Sequence, residues 1–204
     1  MNNQHHRITT LVDGVFAIVM TLLVFDFKIP HLSEAKVDTM LTAKLWLLWP
    51  RFISYVLSCV VLGIFWIYHH NQFRFIVKVD RNLLWINILF IIAVAFVPFS
   101  AALIGEYANH KAAIVVYGIN LIAIGQVLYL HWRYATGQHR LVRKELSDDI
   151  IKNVNNRIMG ANIFYAVAVV VSLFAPILSL LIYVLVPLYH VRPSKFATSI
   201  AIDK

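Results

Sequence analysis

The chain has 204 residues, of which 60% are apolar and only 14% charged, and it carries 18 Lys and Arg against 10 Asp and Glu. A mean hydropathy of +0.74 lies far outside the soluble globular range, and the fold class it predicts is an all-α integral membrane protein. The net charge of +8 does not point to nucleic acid, because the basic residues sit in short segments at the ends of apolar runs rather than on one basic face.

Apolar runs long enough to cross about 30 Å of hydrocarbon at 1.5 Å per helical residue fall at roughly 8–28, 47–68, 83–104, 112–132, 157–175 and 177–191. They predict six transmembrane helices in one unit spanning residues 1–204. The first run lacks the short apolar core and small-residue cleavage site of a signal peptide, so it is expected to remain as a helix. Cys59 stands alone inside the second run, which excludes a disulfide within the chain and leaves packing as its role. The apolar stretch from Ile158 to Tyr189 is too long for one upright helix, and Pro176 supplies the break that divides it in two.

Orientation follows from the connecting segments. Of the 18 Lys and Arg, 13 fall on one side (7, 74, 78, 81, 133, 140, 143, 144, 152, 157, 192, 195 and 204) and 5 on the other (28, 36, 44, 51 and 111). That bias places both termini in the cytoplasm, as expected of a multi-pass protein of the cell's inner (plasma) membrane. The most polar stretch, HRLVRKELSDD at 139–149, reads as a solvated loop that sets this topology.

Enzyme chemistry finds no footing. A Gly-rich phosphate loop, a GxSxG elbow, an HExxH pair and any cofactor motif are absent from the sequence. His69 and His70 are the best metal candidates, yet adjacent residues point about 100° apart on a helix and cannot readily share one ion. No metal and no cofactor are expected.

The first run, RITTLVDGVFAIVMTLLVFDFKIP at 7–30, carries more information. Leu11, Gly14, Ile18, Thr21 and Phe25 follow a 3, 4, 3, 4 spacing, and Leu22 lies beside them on the helical wheel. The stripe reads either as a seam along which the helix meets copies of itself or as ordinary packing within its own subunit. Asp13 lies about 220° around the wheel from Ile18, behind the stripe. A carboxylate in a bilayer normally faces the bundle and a partner, so Asp13 is expected to look back into its own subunit, towards Arg7, His69 or His70. Asp26, with Lys28, is expected at the extracellular interface.

The stretch RITTLVD at 7–13 resembles the signature of the lysosomal and endosomal transmembrane potassium channel family and its bacterial six-helix, single-repeat relatives: an arginine, three variable residues, then Phe-Ser-Asp. Arg7 and Asp13 are kept, while Leu11 and Val12 stand where the family has Phe and Ser. The likeness continues through FWIYHHNQFRF at 65–75, AFVPFSAALIGEY at 95–107 and the placement of all six spans. It implies a homotetramer in the lipid bilayer whose first helices line a central pore for potassium and other monovalent cations. It further implies a pore constriction at Ile18, then Leu22 and Phe25, a potassium-preference position at Thr21, and a structural network containing Arg7 and Asp13. TVGYG, the filter of the familiar potassium channels, does not occur. Two readings from other classes stay open: a proton-coupled secondary transporter using Asp13 and the histidines as a relay, and a noncatalytic membrane interaction protein.

Overall fold

The computed structural model describes residues 3–29 and 31–191, and it is helical throughout apart from an isolated antiparallel bridge between Ile76 and Val142. The helices are α1 (Asn3–Leu22), α2 (Glu34–Trp46), α3 (Trp49–Phe75), α4 (Arg81–Ala95), α5 (Val97–Glu106), α6 (Lys111–Thr136), α7 (Asp148–Ser172) and α8 (Pro176–Val191). Five described segments are long and apolar enough to cross a membrane: His5–Asp26, Trp49–Phe75, Arg81–Glu106, Lys111–His139 and Asp148–Ser172. The sixth apolar run forms α8, whose 16 residues rise only about 24 Å at 1.5 Å per residue, less than the hydrocarbon thickness.

Most departures from the sequence expectations have a local cause. The third span is divided into α4 and α5 at Phe96, because Pro98 has no N–H to give to the preceding turn. Asn120 on α6 donates from Nδ2 to the Ala93 carbonyl (2.9 Å) at this break, which keeps the interrupted backbone paired inside the apolar bundle. The fifth span begins at Asp148 rather than near 157. Ser147 caps it, its side chain accepting from the Ile150 N–H at 3.4 Å, and Asp148 and Asp149 place negative charge at the positive end of the helix dipole. A turn over residues 173–175 separates α7 from α8, and α8 opens on Pro176. Helix α2, in the segment between the first two spans, has no counterpart in the sequence reading.

The core is built on α6, which packs against α4, α5 and α7, while α8 packs on α7 and α3 on α5. Trp132, Tyr117, Tyr183 and Phe90 are its largest fully buried side chains. Their polar atoms are paired within the bundle: Tyr117 meets Ser58 at 3.1 Å, and the Tyr183 hydroxyl donates to the Ile114 carbonyl at 3.2 Å. Gly118 is required there, since a Cβ would stand 2.0 Å from the Tyr183 hydroxyl oxygen.

At the basic end of the bundle, the α3–α4 and α6–α7 connections clasp each other. Val77 N–H donates to the Leu141 carbonyl (2.8 Å) and Arg143 N–H to the Phe75 carbonyl (3.1 Å). Asp80 completes the clasp. It caps α4 by accepting from the Leu83 N–H at 2.8 Å, accepts from the Tyr134 hydroxyl at 2.7 Å, and faces Arg140 at 3.7 Å. Burial alone would raise its carboxyl, but the Leu83 N–H, the Tyr134 hydroxyl and the Arg140 charge together hold it below the ordinary carboxylate value. A carboxyl held below its unfolded value contributes stability that is complete above the unfolded pKa, about 3.9, and is lost as the pH falls through the folded value. Asp80→Ala is therefore expected to lower stability by about 1 kcal/mol near neutral pH, the usual effect of losing an N-cap. Thermal unfolding of the two proteins across an acid series should show that gap narrowing below about pH 4.

Candidate functional site: the first helix and its two faces

Helix α1 divides its residues between two environments. Ile8, Val12, Phe16, Val19 and Leu23 are buried, recurring at the helical spacing that makes one face, and they meet α3, α4 and α5. Phe16 packs on Phe90 of α4 with ring centroids 6.0 Å apart. The other face carries Leu11 (54% exposed), Ile18 (60%), Leu22 (46%) and Phe25 (76%), together with Gly14 and Thr21, both exposed. A Cβ built at Gly14 meets no atom within 4 Å. The stripe found by spacing is thus left uncovered by its own subunit, so packing within the subunit does not account for it.

Thr21 lies on this uncovered face. Its hydroxyl donates back along the helix to the Ile18 carbonyl (2.8 Å) and the Ala17 carbonyl (3.0 Å). The proton is thereby held on the backbone, and the oxygen lone pairs are left without a donor among the described residues.

Asp13 sits beside the stripe and is itself exposed. Its partner is not Arg7, His69 or His70, the residues expected, but Trp66 of α3, whose indole N–H donates to Asp13 Oδ1 at 2.7 Å. Trp66 in turn stacks on His70, with centroids 5.4 Å apart and planes at 29°, and Asp13 and His70 line one open cavity beside it. His69 faces the opposite way. It is buried, donates from Nε2 to Asn87 Oδ1 at 2.9 Å, and lies flat on Phe90 at 5.0 Å and 7°. Behind it, His131 Nδ1–H donates to Gln72 Oε1 (2.8 Å), and Gln72 Nε2 donates to the Leu128 carbonyl (3.2 Å). The four residues grouped in sequence as one network therefore separate: Asp13 and His70 meet across Trp66, His69 belongs to the core with Asn87, and Arg7 is exposed with no hydrogen bond or ion pair among the described residues.

Both ends of α1 are tied down by residues that the sequence reading did not single out. At the N-terminal end, His5 Nε2–H donates to the Phe73 carbonyl at 2.9 Å, and the two rings meet edge to face. At the C-terminal end the helix tightens into a 3₁₀ turn, Leu23–Asp26. Arg51 of α3 donates from Nη1 to the Asp26 carbonyl (2.8 Å) and from Nη2 to the Glu106 carboxylate of α5. Gly105 makes room for this junction, since a Cβ there would lie 3.1 Å from Asp26 Oδ2 and 3.2 Å from Arg51.

A sequence model described as the endosomal/lysosomal potassium channel TMEM175 matches residues 7–98, which contain α1 from Arg7 onward and all of α3. A potassium channel of Streptomyces collinus is 31% identical over 193 residues, covering 92% of each chain, and one of Chamaesiphon minutus is 32% identical over 177 residues, covering 85% of this chain and 86% of its own. The endosomal/lysosomal proton channel TMEM175 of Gallus gallus is 32% identical over 108 residues, half of this chain and 22% of that one. The crystal structure of a lysosomal potassium-selective channel TMEM175 homolog from Chamaesiphon minutus superimposes with a TM-score of 0.81 at 28% identity, covering 93% of this chain and 97% of that one. With a relative above 30% identity along nearly its whole length and the same helical architecture, the chain belongs to the TMEM175 channel family, a family of ion channels rather than enzymes.

Proposed function

We propose that four copies of this chain assemble into a potassium-permeable cation channel whose pore is lined by α1, in the plasma membrane with both termini cytoplasmic. The observation that carries this reading is the uncovered row Leu11, Gly14, Ile18, Thr21, Leu22 and Phe25 on a helix whose opposite face is fully engaged by its own bundle. A small residue and branched apolar residues at alternating spacings of three and four suit a seam around a shared axis. The relatives described as potassium channels supply the permeant ion.

In such a pore no backbone carbonyl ring replaces the ion's water. Four Ile18 side chains, with Leu22 one turn on, form a dry ring that conducts only when it widens enough to hold water. Thr21 stands between them with free lone pairs and is the one polar side chain near the constriction that can contact a partly dehydrated cation. Asp13 holds the helix rather than the ion. The alternative mechanism, a proton relay from Asp13 to the histidines, has no direct hydrogen bond between Asp13 and a histidine to support it among the described residues, where Asp13 is held by the Trp66 indole.

Three outcomes check this reading. Ile18→Asn wets the ring, and because exposing one such side chain to water is worth roughly 1.5–3 kcal/mol, four together are expected to raise potassium flux into liposomes by an order of magnitude or more; flux no greater than the parent's would remove the ring from the mechanism. Thr21→Val keeps the shape and deletes the oxygen, and the reversal potential under potassium against sodium is expected to move towards zero. For Asp13, a double-mutant cycle with Asp13→Ala and Trp66→Phe is expected to give a coupling of about 1.5–3 kcal/mol in unfolding, the range for a hydrogen bond to a charged group. The ion preference of each single variant should stay unchanged.

A further inference from the structure

Arg157 is a charge inside a span without a counter-charge. It lies nine residues past the start of α7, about 13 Å into that helix at 1.5 Å per residue, and it is half-buried. Its Nε–H donates to the Tyr68 hydroxyl at 3.0 Å. Among the described residues the ion pairs are Arg51 with Glu106 and Arg140 with Asp80, and no carboxylate meets Arg157. Charged side chains in a bilayer are ordinarily paired with an opposite charge or with backbone carbonyls, so the guanidinium's two NH₂ groups call for an anion.

The surroundings say which kind. Arg157 lines a groove of about 670 Å³ between α7 and α8. Asn153, Asn156 and Arg157 form its polar wall towards the basic end of the bundle, whereas Phe164, Ile182 and Leu185 line its deeper part. Gly160 leaves the floor open, since a Cβ there would meet nothing within 4 Å. A soluble anion would use the polar wall and leave the apolar depth empty. An amphiphile uses both. Residues 192–204 carry Arg192, Lys195 and Lys204 against Asp203, a segment that is basic on balance.

We infer that this groove seats an anionic phospholipid, with the phosphate on Arg157 flanked by the Asn153 and Asn156 amides and an acyl chain running along Phe164 and Leu185. Basic pockets between membrane helices at the cytoplasmic side recognise such headgroups through the same pairing. The lipid would span the α7–α8 seam beside α8, whose 16 residues are too few to cross the hydrocarbon, so that the protein alone leaves hydrocarbon unmatched there.

The test is native mass spectrometry of the full-length protein in detergent, supplied with equal amounts of phosphatidylglycerol and phosphatidylcholine of matched chains. The parent is expected to retain phosphatidylglycerol several-fold over phosphatidylcholine, and Arg157→Gln to reduce that ratio to parity. Gly160→Leu fills the groove without touching Arg157. It is expected to lose most bound lipid of both kinds while keeping the parent's thermal midpoint in lipid-free detergent. Excess inorganic phosphate should leave the retained phosphatidylglycerol in place. A parent without preference for the anionic lipid, an undiminished ratio in either variant, or displacement of the lipid by inorganic phosphate would each overturn the assignment.

Discussion

The hydrogen bond from the Trp66 indole to Asp13 sets the rotation of the first helix, and the division of that helix into two faces depends on it. At 100° per residue, a carboxylate held to α3 on one flank fixes where every other α1 side chain points. Ile8, Val12, Phe16, Val19 and Leu23 then enter the bundle, and Ile18 with its neighbours is left outside. The carboxylate is exposed along an open cavity that it shares with His70 and Arg74, so the bond acts by its direction: one indole N–H at 2.7 Å favours one rotation of α1. Rotating α1 by one residue would both orphan Asp13 and place Thr21 against apolar neighbours.

The remaining ties restrain different motions. His5 on the Phe73 carbonyl and Arg51 on the Asp26 carbonyl hold the two ends of α1 to α3, so α1 and α3 move as one piece. Both ties use backbone carbonyls at helix ends, where acceptors lack intrahelical partners. The middle of α1 has no polar anchor besides Asp13, and its contact with the bundle there is apolar, Phe16 against Phe90. A helix pinned at both ends and packed by dispersion forces between them can bend or turn slightly around its middle without breaking a hydrogen bond. That middle is where Ile18 sits, and a constriction that opens by small side-chain displacements needs this kind of freedom.

What could be read from the sequence was what periodicity and polarity encode. Five of the six expected spans, the break at Pro176 and the stripe on α1 all follow from apolar spacing or from proline chemistry, and the structure places them, with the sixth run forming the shorter α8. The partner of Asp13 was not legible in that way. Trp66 is uncharged, sits in an apolar run, and reads as one more large hydrophobe; only its position four residues before His70, on the same face of α3, hinted that an indole N–H was aimed at the α1 flank. Charge matching suggested Arg7 and the histidines instead, and it misled because Asp13 is exposed, so that it needs no buried counter-charge and one neutral donor suffices. Arg51 and Glu106 escaped notice for a different reason. They are 55 residues apart and belong to helices whose adjacency no local pattern records. Helix α2 was missed because its 13 residues mix Lys, Asp and Glu with apolar positions and leave no run that a hydropathy reading detects.

The exposed Arg7 raises the question of whether a ring of four positive charges at the inner end would close the proposed pore to cations. Distance and solvent decide it. Arg7 and Ile18 are 11 positions apart on one helix, about 16 Å along the axis at 1.5 Å per residue. Arg7 stands at the end of the span, among water and salt, where the Debye length is about 8 Å at physiological ionic strength. Its field at the constriction is therefore reduced by two screening lengths before any pairing with anions is counted. At Ile18 the opposing term is the removal of water from the ion, which no salt screens and which acts at contact. In the proposed pore the apolar ring and not the arginine ring would then govern conduction, with charge at Arg7 bearing on how readily cations collect at the mouth.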